Sequence, residues 1–568
     1  MTTSLQVHSQ SVSSYFNQGN LFKQSGKWEE AAAAYRRCLE LNPDFSWYHH
    51  NLGEVLAQQG KLEEAGVCYQ RACELNPNSA WSWHGLGEVL ERQGNWDGAV
   101  VAYRRAVEIS PDFYEFHNSL GKALCFKGQL DEALGCLRQA IELDPESALP
   151  YQNLWEVLAR LGQVDEGIEC LRKAIALNPG SWELYMKLAE ALQGKNELAE
   201  AIAGYGKAIQ LNPDFYWLRY KLGTALAAKG QWEEAIASYQ QAAELEPGAA
   251  IVHHYLGYTL SIVQRWEEAI VCYRQALEIV PNAAIIYQHL GDALTRLGRW
   301  EQAVGAYRKS VEFEPNSLEA QDHFGFALYQ LGQYDEAILA YQKALEVAPN
   351  SDVVNFHLGD ALRQRARVQP LQKDIDGDLD AAVNCYRRSI ELNPNNLEVC
   401  QRALEIKPDE PELYLQFGKA LAQQNQLEGA IVQYKKAIEL EANNIELEAN
   451  NIELDENNIE LDGKNGEAYR YLGDALARLG RWDEAIDAYD RSVKINPDDF
   501  MCYAGLGDVW LGKGMVERAI EFYQKAIELN QDLAEVYDKL GDSLAKVGRQ
   551  KEASVYYRRG LEVKGKVS

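Results

Sequence analysis

Three histidines, His289, His323 and His357, recur at one constant interval, and Asp374, Asp376 and Asp378 crowd around Gly377. Imidazoles and clustered carboxylates are the raw material of zinc and calcium sites. Neither set has the right spacing. Equivalent residues on successive packed helices stand at least about 8 Å apart, whereas shared zinc ligation needs each nitrogen about 2 Å from one ion. The histidine column is therefore expected to line a polar surface, and His49, His50 and His84 are treated the same way. The order D-x-D-G-D puts its glycine too early for a calcium-binding loop, and Cys385 stands where the bidentate acid would be needed. An ordinary polar loop is expected there. The ten cysteines form no C-x-x-C pair, and five of them (Cys68, Cys136, Cys170, Cys272 and Cys385) occupy one recurring place. These read as small buried thiols of a reducing cytosol. No nucleophile motif or phosphate-cradling loop is present, so no catalytic, cofactor or metal residue is assigned.

What remains is a set of aromatic and acidic residues spaced for one helix face, where positions three and four apart are neighbours. Trp47, His50 and Glu54 form one such set, and Trp81, His84 and Glu88 repeat it in the same order and spacing. Trp217, Tyr220 and Tyr258 hold comparable places further on. Aromatic rings give large contacts at low entropic cost, and the carboxylates favour a basic or polar partner. The chain's 84 acidic against 56 basic residues leave a net charge of −28. That balance disfavours nucleic acid, whose phosphates need clustered Lys and Arg, and an anionic membrane surface. No stretch approaches 18 apolar residues, so no membrane span is expected. The N-terminal MTTSLQVHSQSVSSYF lacks the basic and apolar regions of a secretory signal, and a cytoplasmic setting is expected.

The elements that must position these residues follow from the repeat itself. Prolines fall in equal steps at 43, 77, 111 and onward to 349. A glycine column (Gly19, Gly53, Gly87, Gly121) holds in 13 of 15 repeats, so its exceptions carry information. Twelve residues on stands Ala31, Ala65 or Ala99, and four further on Tyr35, Tyr69 or Tyr103. Small residues at a helix crossing let backbones approach, and the aromatic fills the space left. A second glycine column (Gly26, Gly60, Gly94), with Asn196 and Asn425 in two repeats, suits the left-handed residue that closes a helix. Each proline then stops the following helix. In the fifth repeat Trp155 replaces the glycine while Gly167 and Leu171 replace Ala and Tyr, which reads as volume compensation within one helix pair.

These columns resemble the tetratricopeptide repeat over nearly the whole chain. The resemblance implies an all-α fold: a right-handed superhelical solenoid of antiparallel helix pairs, the first helix of each pair lining a concave groove. The expected organisation is a flexible N-terminus at 1–11 and eleven repeats over 12–394, with an 11-residue insert near 366–376. An odd short helix and hinge follow at 395–411, then four repeats over 412–565, and a tail at 566–568. The last block carries a heptad insert near 443–463. Its tandem IELEANN, IELEANN, IELDENN and IELDGKN, from Ile438 to Asn465, is expected to form a partly flexible acidic loop, because Asn-Asn pairs favour turns.

The function that follows is a non-enzymatic protein–protein interaction scaffold, binding extended peptides or protein surfaces in its groove. Trp47, His50, Glu54, Trp81, His84, Glu88, Trp217, Tyr220 and Tyr258 are the candidate contact residues. Family members that clamp the terminal carboxylate of chaperones use Lys and Asn in the first helix. Here His50 and Glu54, or His84 and Glu88, stand at those places, so that clamp is not expected. The alternative is a substrate-recruiting partner of a glycosyltransferase, since the array also resembles the repeat region of O-linked N-acetylglucosamine transferases without their catalytic region. The last repeat, ending GLEVKGKVS, has no further polar helix to cover it, and weak self-association through that end is expected.

Overall fold

The computed structural model describes residues 2–368, 372–451 and 463–567, with side chains described over 12–368, 373–443 and 465–564. The described residues contain 31 helices and no strand. They fall into two compact halves, Met1–Ile279 and Val280–Ser568. Within each half the helices pack pairwise: Ser46–Gln58 against Leu62–Leu75, Ala80–Arg92 against Trp96–Ile109, and so onward. Each half is a solenoid of antiparallel helix pairs, a leading helix of 13 residues and a trailing helix of 14 in the regular repeats.

The glycine column sits where the leading helix crosses the trailing helix of its own repeat. A Cβ on Gly87 would lie 2.5 Å from Tyr103 Cε1, and one on Gly223 2.6 Å from Tyr239 Cε1. Tyr35, Tyr103, Tyr239 and Tyr307 are almost wholly buried in this contact. The fifth repeat inverts it: a Cβ on Gly167 would lie 2.5 Å from Trp155 Cε3, so the indole fills the space that Tyr fills elsewhere. The volume compensation read from the sequence is present in the packing.

The turn between the helices of a pair uses a left-handed residue. Asn196 and Asn425 have φ of 63° and 62°, and Gln264 adopts 63° without the small polar side chain that eases it, a cost of about 1–2 kcal/mol. At some junctions between repeats, the side chain six residues after the proline donates to the proline carbonyl. His49 Nε2 reaches Pro43 O at 2.8 Å, Trp83 Nε1 reaches Pro77 O at 3.0 Å, and His117 Nε2 reaches Pro111 O at 2.8 Å. Two of the histidines are thus junction fasteners whose Nε2 carries the proton. On the trailing helices, Arg36–Glu64, Arg104–Glu132, Arg138–Glu166 and Arg172–Glu200 link neighbouring repeats at 2.6–3.1 Å. These pairs are exposed, so each stabilises by about 1 kcal/mol or less.

Two expectations are corrected. The described part of the 11-residue insert is helix and not polar loop: both helices of the pair are lengthened, to Asp352–Val368 and Gln372–Leu392, and 369–371 lie outside the described residues. No Gly or Asn stops the first helix in time, and Arg365 grips Asp378 with two bonds, Nε–Oδ2 at 2.8 Å and Nη2–Oδ1 at 2.6 Å. Asp378 is therefore an ion-pair partner within a helix that runs straight through Gly377. Likewise, the heptads begin as helix, since Leu427–Asn451 continues through the first IELEANN and into the second. Their Ile, Leu, Glu and Ala are strong enough helix formers to outweigh the asparagine pairs. Residues 452–462 lie outside the described residues.

The odd helix is present as Leu397–Ile406. It is tied into the C-terminal half by Arg363–Glu405 at 2.6 Å, by Arg402 to Asp360, and by Lys407–Asp380 at 2.8 Å. The division into compact halves falls at Ile279–Val280 and not at 395–411.

Candidate functional site

The six N-terminal candidates sit on consecutive leading helices, Ser46–Gln58 and Ala80–Arg92. Trp47 and Trp81 remain 41% and 44% exposed, which leaves a ring face available to a partner. Each is held by its own histidine. Trp47 stacks on His50 with centroids 4.4 Å apart and planes 5° from parallel, and Trp81 meets His84 edge-on at 6.2 Å. Trp81 is also wedged against Phe116 of the next leading helix at 4.9 Å.

The histidines are not surface groups. Both are buried, and each reaches a serine of the following repeat: His50 Nδ1 to Ser82 Oγ at 3.2 Å, His84 Nε2 to Ser119 Oγ at 3.0 Å. Burial pushes both imidazoles down to about 4, so they are neutral at pH 7. They position the tryptophans from beneath. Tyr220 is buried in the same way, edge-on to Tyr255 at 5.5 Å and tilted on Trp217 at 4.8 Å. Lys221 lies over the Trp217 ring at 5.4 Å, and Tyr258 is exposed.

The acids meet different surroundings. Glu54 pairs with Lys23 at 2.8 Å, whereas the one basic group within ion-pair range of Glu88 among the described residues is His84 Nδ1, at 3.8 Å. The Glu88 carboxyl is raised above its ordinary value, first by desolvation and then by Glu91, with Glu54 adding to the rise and Arg92 and Lys122 opposing it. Glu54 and Glu88 both line an open cavity of about 570 Å³, with Tyr69, Gly85, Arg92 and Lys122 around it. The structure thus gathers the acids at a cavity and sets the tryptophans outside its lining.

Much of the acidic column that follows the glycines is structural. Tyr307 donates to Asp292 at 2.7 Å, Tyr489 to Asp474 at 2.6 Å, Tyr523 to Asp508 at 2.7 Å and Tyr557 to Asp542 at 2.6 Å, each fastening the two helices of one repeat. Others tie adjacent repeats, as Glu156–Lys187 at 2.6 Å and Glu190–Lys221 at 2.9 Å. The histidine column does the same work: His323 Nδ1 meets Asp292 and His357 Nδ1 meets Asp322, each at 2.8 Å. No group of His, Cys, Asp and Glu suited to a metal ion occurs among the described residues.

A second cavity, about 760 Å³, went unread in the sequence. It lies in the C-terminal half, lined by Tyr434, Tyr471, Tyr489, Asp474, Asp508 and Gly505 among others. Its sequence signal is a glycine two residues before the glycine column, a place where only Gly85 and Gly505 occur in the 15 repeats.

Stacked helix pairs with aromatic and acidic residues gathered on the leading helices define a repeat solenoid that presents side chains for association. Sequence models described as the TPR repeat match residues 19–60, 53–94, 91–125, 121–162, 195–230, 223–261, 325–364 and 418–447. Models described as the tetratricopeptide repeat match 248–314, 466–499, 151–181, 375–396, 502–533 and 534–566. The chain belongs to the tetratricopeptide repeat family, and it is an interaction scaffold in the general sense that family defines. Among solved structures, MamA is similar at 28% identity over 31% of this chain and 95% of its own, with a TM-score of 0.29. YrrB, described as a TPR protein with an unusual peptide-binding site, is similar at 24% over 35% and 100%, with a TM-score of 0.30. The Cut9–Hcn1 hetero-tetramer of the APC/C is similar at 15% over 94% and 96%, with a TM-score of 0.33. No match was found among curated protein sequences.

Proposed function

We propose that the protein is a non-catalytic scaffold whose N-terminal half binds extended, basic or polar polypeptide segments along its leading helices. The observation that carries this reading is the pair Trp47 and Trp81, two large rings left half exposed while each packs on a buried histidine, His50 or His84. Such rings contribute contact area without losing much conformational freedom on binding, which is the property of an interface anchor. The adjoining carboxylates of Glu54 and Glu88 select against acidic segments. Trp217, with Tyr258 further along, offers a second aromatic patch in the same half. Repeats take up nearly all of the matched chain, which supports a binding role in place of a reaction.

All ten cysteines are free thiols, and burial pushes Cys68, Cys136, Cys170, Cys272 and Cys385 up to about 11. Unreactive, unpaired thiols in that number support a reducing compartment such as the cytoplasm. No helix among the described residues is long and apolar enough to cross a membrane.

The test is capture of partners from source-cell lysate on the immobilised chain, beside a Trp47→Ala, Trp81→Ala variant of equal thermal stability. Partners held by the parent and lost by the variant support the reading. Equal retention by both removes the tryptophans from the interface.

A further inference from the structure

The two cavities share an origin. Thirteen of the 15 repeats carry a side chain two residues before the glycine column, and Asn51, Ser119, Lys187 and His323 use it to hydrogen-bond the preceding repeat. Gly85 and Gly505 are the two exceptions. There the core tyrosine of the preceding repeat presses onto bare backbone: a Cβ on Gly85 would lie 2.5 Å from Tyr69 Cζ, and one on Gly505 2.6 Å from Tyr489 Cζ. A cavity opens beside each glycine, one in each half.

Their charged groups are engaged differently. In the N-terminal cavity nearly every charged group is already engaged. Glu54 pairs with Lys23, Glu91 with Lys122 at 2.6 Å, Glu156 with Lys187, and Arg92 donates to Ala57 O at 2.7 Å. Glu88 is the exception: its side chain is 59% exposed and, among the described residues, only the neutral imidazole of His84 is in ion-pair range, while Arg92 and Lys122 of the same lining act on it from farther off. In the C-terminal cavity, Asp508 is already met by Lys539 at 2.8 Å, Asp474 by Tyr489, and Lys419 and Arg478 stand in the lining. Asp532 and Glu535 also line that cavity, so acids alone do not separate the two. The N-terminal cavity is the one whose lining draws on the leading helices that carry the exposed Trp47 and Trp81.

We infer that the N-terminal cavity is a pocket for one lysine or arginine side chain of the bound segment, its methylene stem over Gly85 and its cationic head at Glu88. This rests on the groove reading above and names what the groove selects. The stem would lie along Ala57, Val89 and the Tyr69 ring, all of which line the cavity. An acidic guest would be repelled by Glu88, and a neutral one would gain nothing from its charge.

The experiment is selection of a random dodecapeptide library on the full chain, followed by calorimetry of the enriched peptides. A shared Lys or Arg is expected, and replacing it by Gln should cost about tenfold in affinity, the value of one charge-assisted hydrogen bond. Glu88→Gln should cost about as much and should abolish the difference between the Lys and Gln peptides. Gly85→Asn and Gly505→Asn should both cost stability, because each Cβ meets a core tyrosine. Compared on folded protein, the first should close the pocket and the second should leave binding unchanged. Enriched peptides without a basic residue, or binding indifferent to Glu88→Gln, would overturn the pocket and leave the groove standing. Enrichment of no peptide at all would overturn both.

Discussion

Exchanging the residues of the fifth repeat back to the common pattern provides a measure of how rigidly the helix pairs are packed. A Cβ on Gly167 would sit 2.5 Å from Trp155 Cε3 and 2.8 Å from Cζ3, nearly 1 Å inside ordinary contact. The indole is also packed against the buried cluster of Leu171, Ala174 and Leu184, so it has little room to retreat. Gly167→Ala should therefore destabilise by about 1–3 kcal/mol, in spite of the roughly 1 kcal/mol that alanine gains over glycine in a helix. Trp155→Gly alone removes a large ring and should cost about 3–5 kcal/mol. In the double variant the new methyl group occupies space the indole has vacated, so the overpacking disappears. The coupling between the two sites should be about 1–3 kcal/mol in the favourable direction. Because solenoids can unfold repeat by repeat, the assay is hydrogen exchange of the helices Ala148–Arg160 and Val164–Leu177 under increasing urea. Additive effects within about 0.5 kcal/mol would refute the account of complementary volumes.

Three further outcomes follow from the same packing. The imidazoles of His50 and His84 are held at about 4 against an ordinary 6.5, so the unfolded chain takes up protons that the folded chain refuses. Their neutral burial is fully favourable above about pH 6.5 and is lost as pH falls towards 4. The loss is up to about 3 kcal/mol per histidine, and a His50→Gln, His84→Gln variant should show a shallower acid slope in denaturant titrations over that range. Gly87→Ala, which sets a methyl 2.5 Å from Tyr103 Cε1, should cost about 1–3 kcal/mol, read as a lower urea midpoint. Val555 and Leu561 are exposed on the helix Gln550–Val567, and we propose that they mediate weak self-association. Sedimentation of the parent should be concentration-dependent and that of Val555→Glu, Leu561→Glu should not, while a concentration-independent monomer mass for the parent rejects the idea.

The fold was legible because three columns of the repeat each have one physical job. Gly87 must admit Tyr103, the left-handed turn residue must close the leading helix, and Pro43 must stop the trailing one. Even the departure at Trp155 was readable, since its compensating partner Gly167 lies in the very next helix of the same repeat. The inserts misled because a helix ends only where something stops it. Arg365 to Val368 lack a stop, and IELEANN offers helix formers and turn formers together.

The candidate site was legible only at its surface. His50 and His84 share a face with Trp47 and Trp81, but their burial is decided by Ser82 and Ser119, which lie 32 and 35 residues further along. Asp292, Asp474, Asp508 and Asp542, each directly after a column glycine, accept from tyrosines 15 residues further along, on the trailing helices. Gly85 and Gly505 were hidden among 43 glycines, because a pocket made by a missing side chain leaves no residue to notice.

The most direct test of the central claim is hydrogen exchange of the full chain with and without a bound, enriched peptide. Protection confined to the leading helices Ser46–Gln58, Ala80–Arg92 and Tyr114–Phe126, and abolished by Trp47→Ala, Trp81→Ala, is the result the account predicts. Protection on the trailing helices Leu62–Leu75 and Trp96–Ile109, or in the C-terminal half alone, would contradict it.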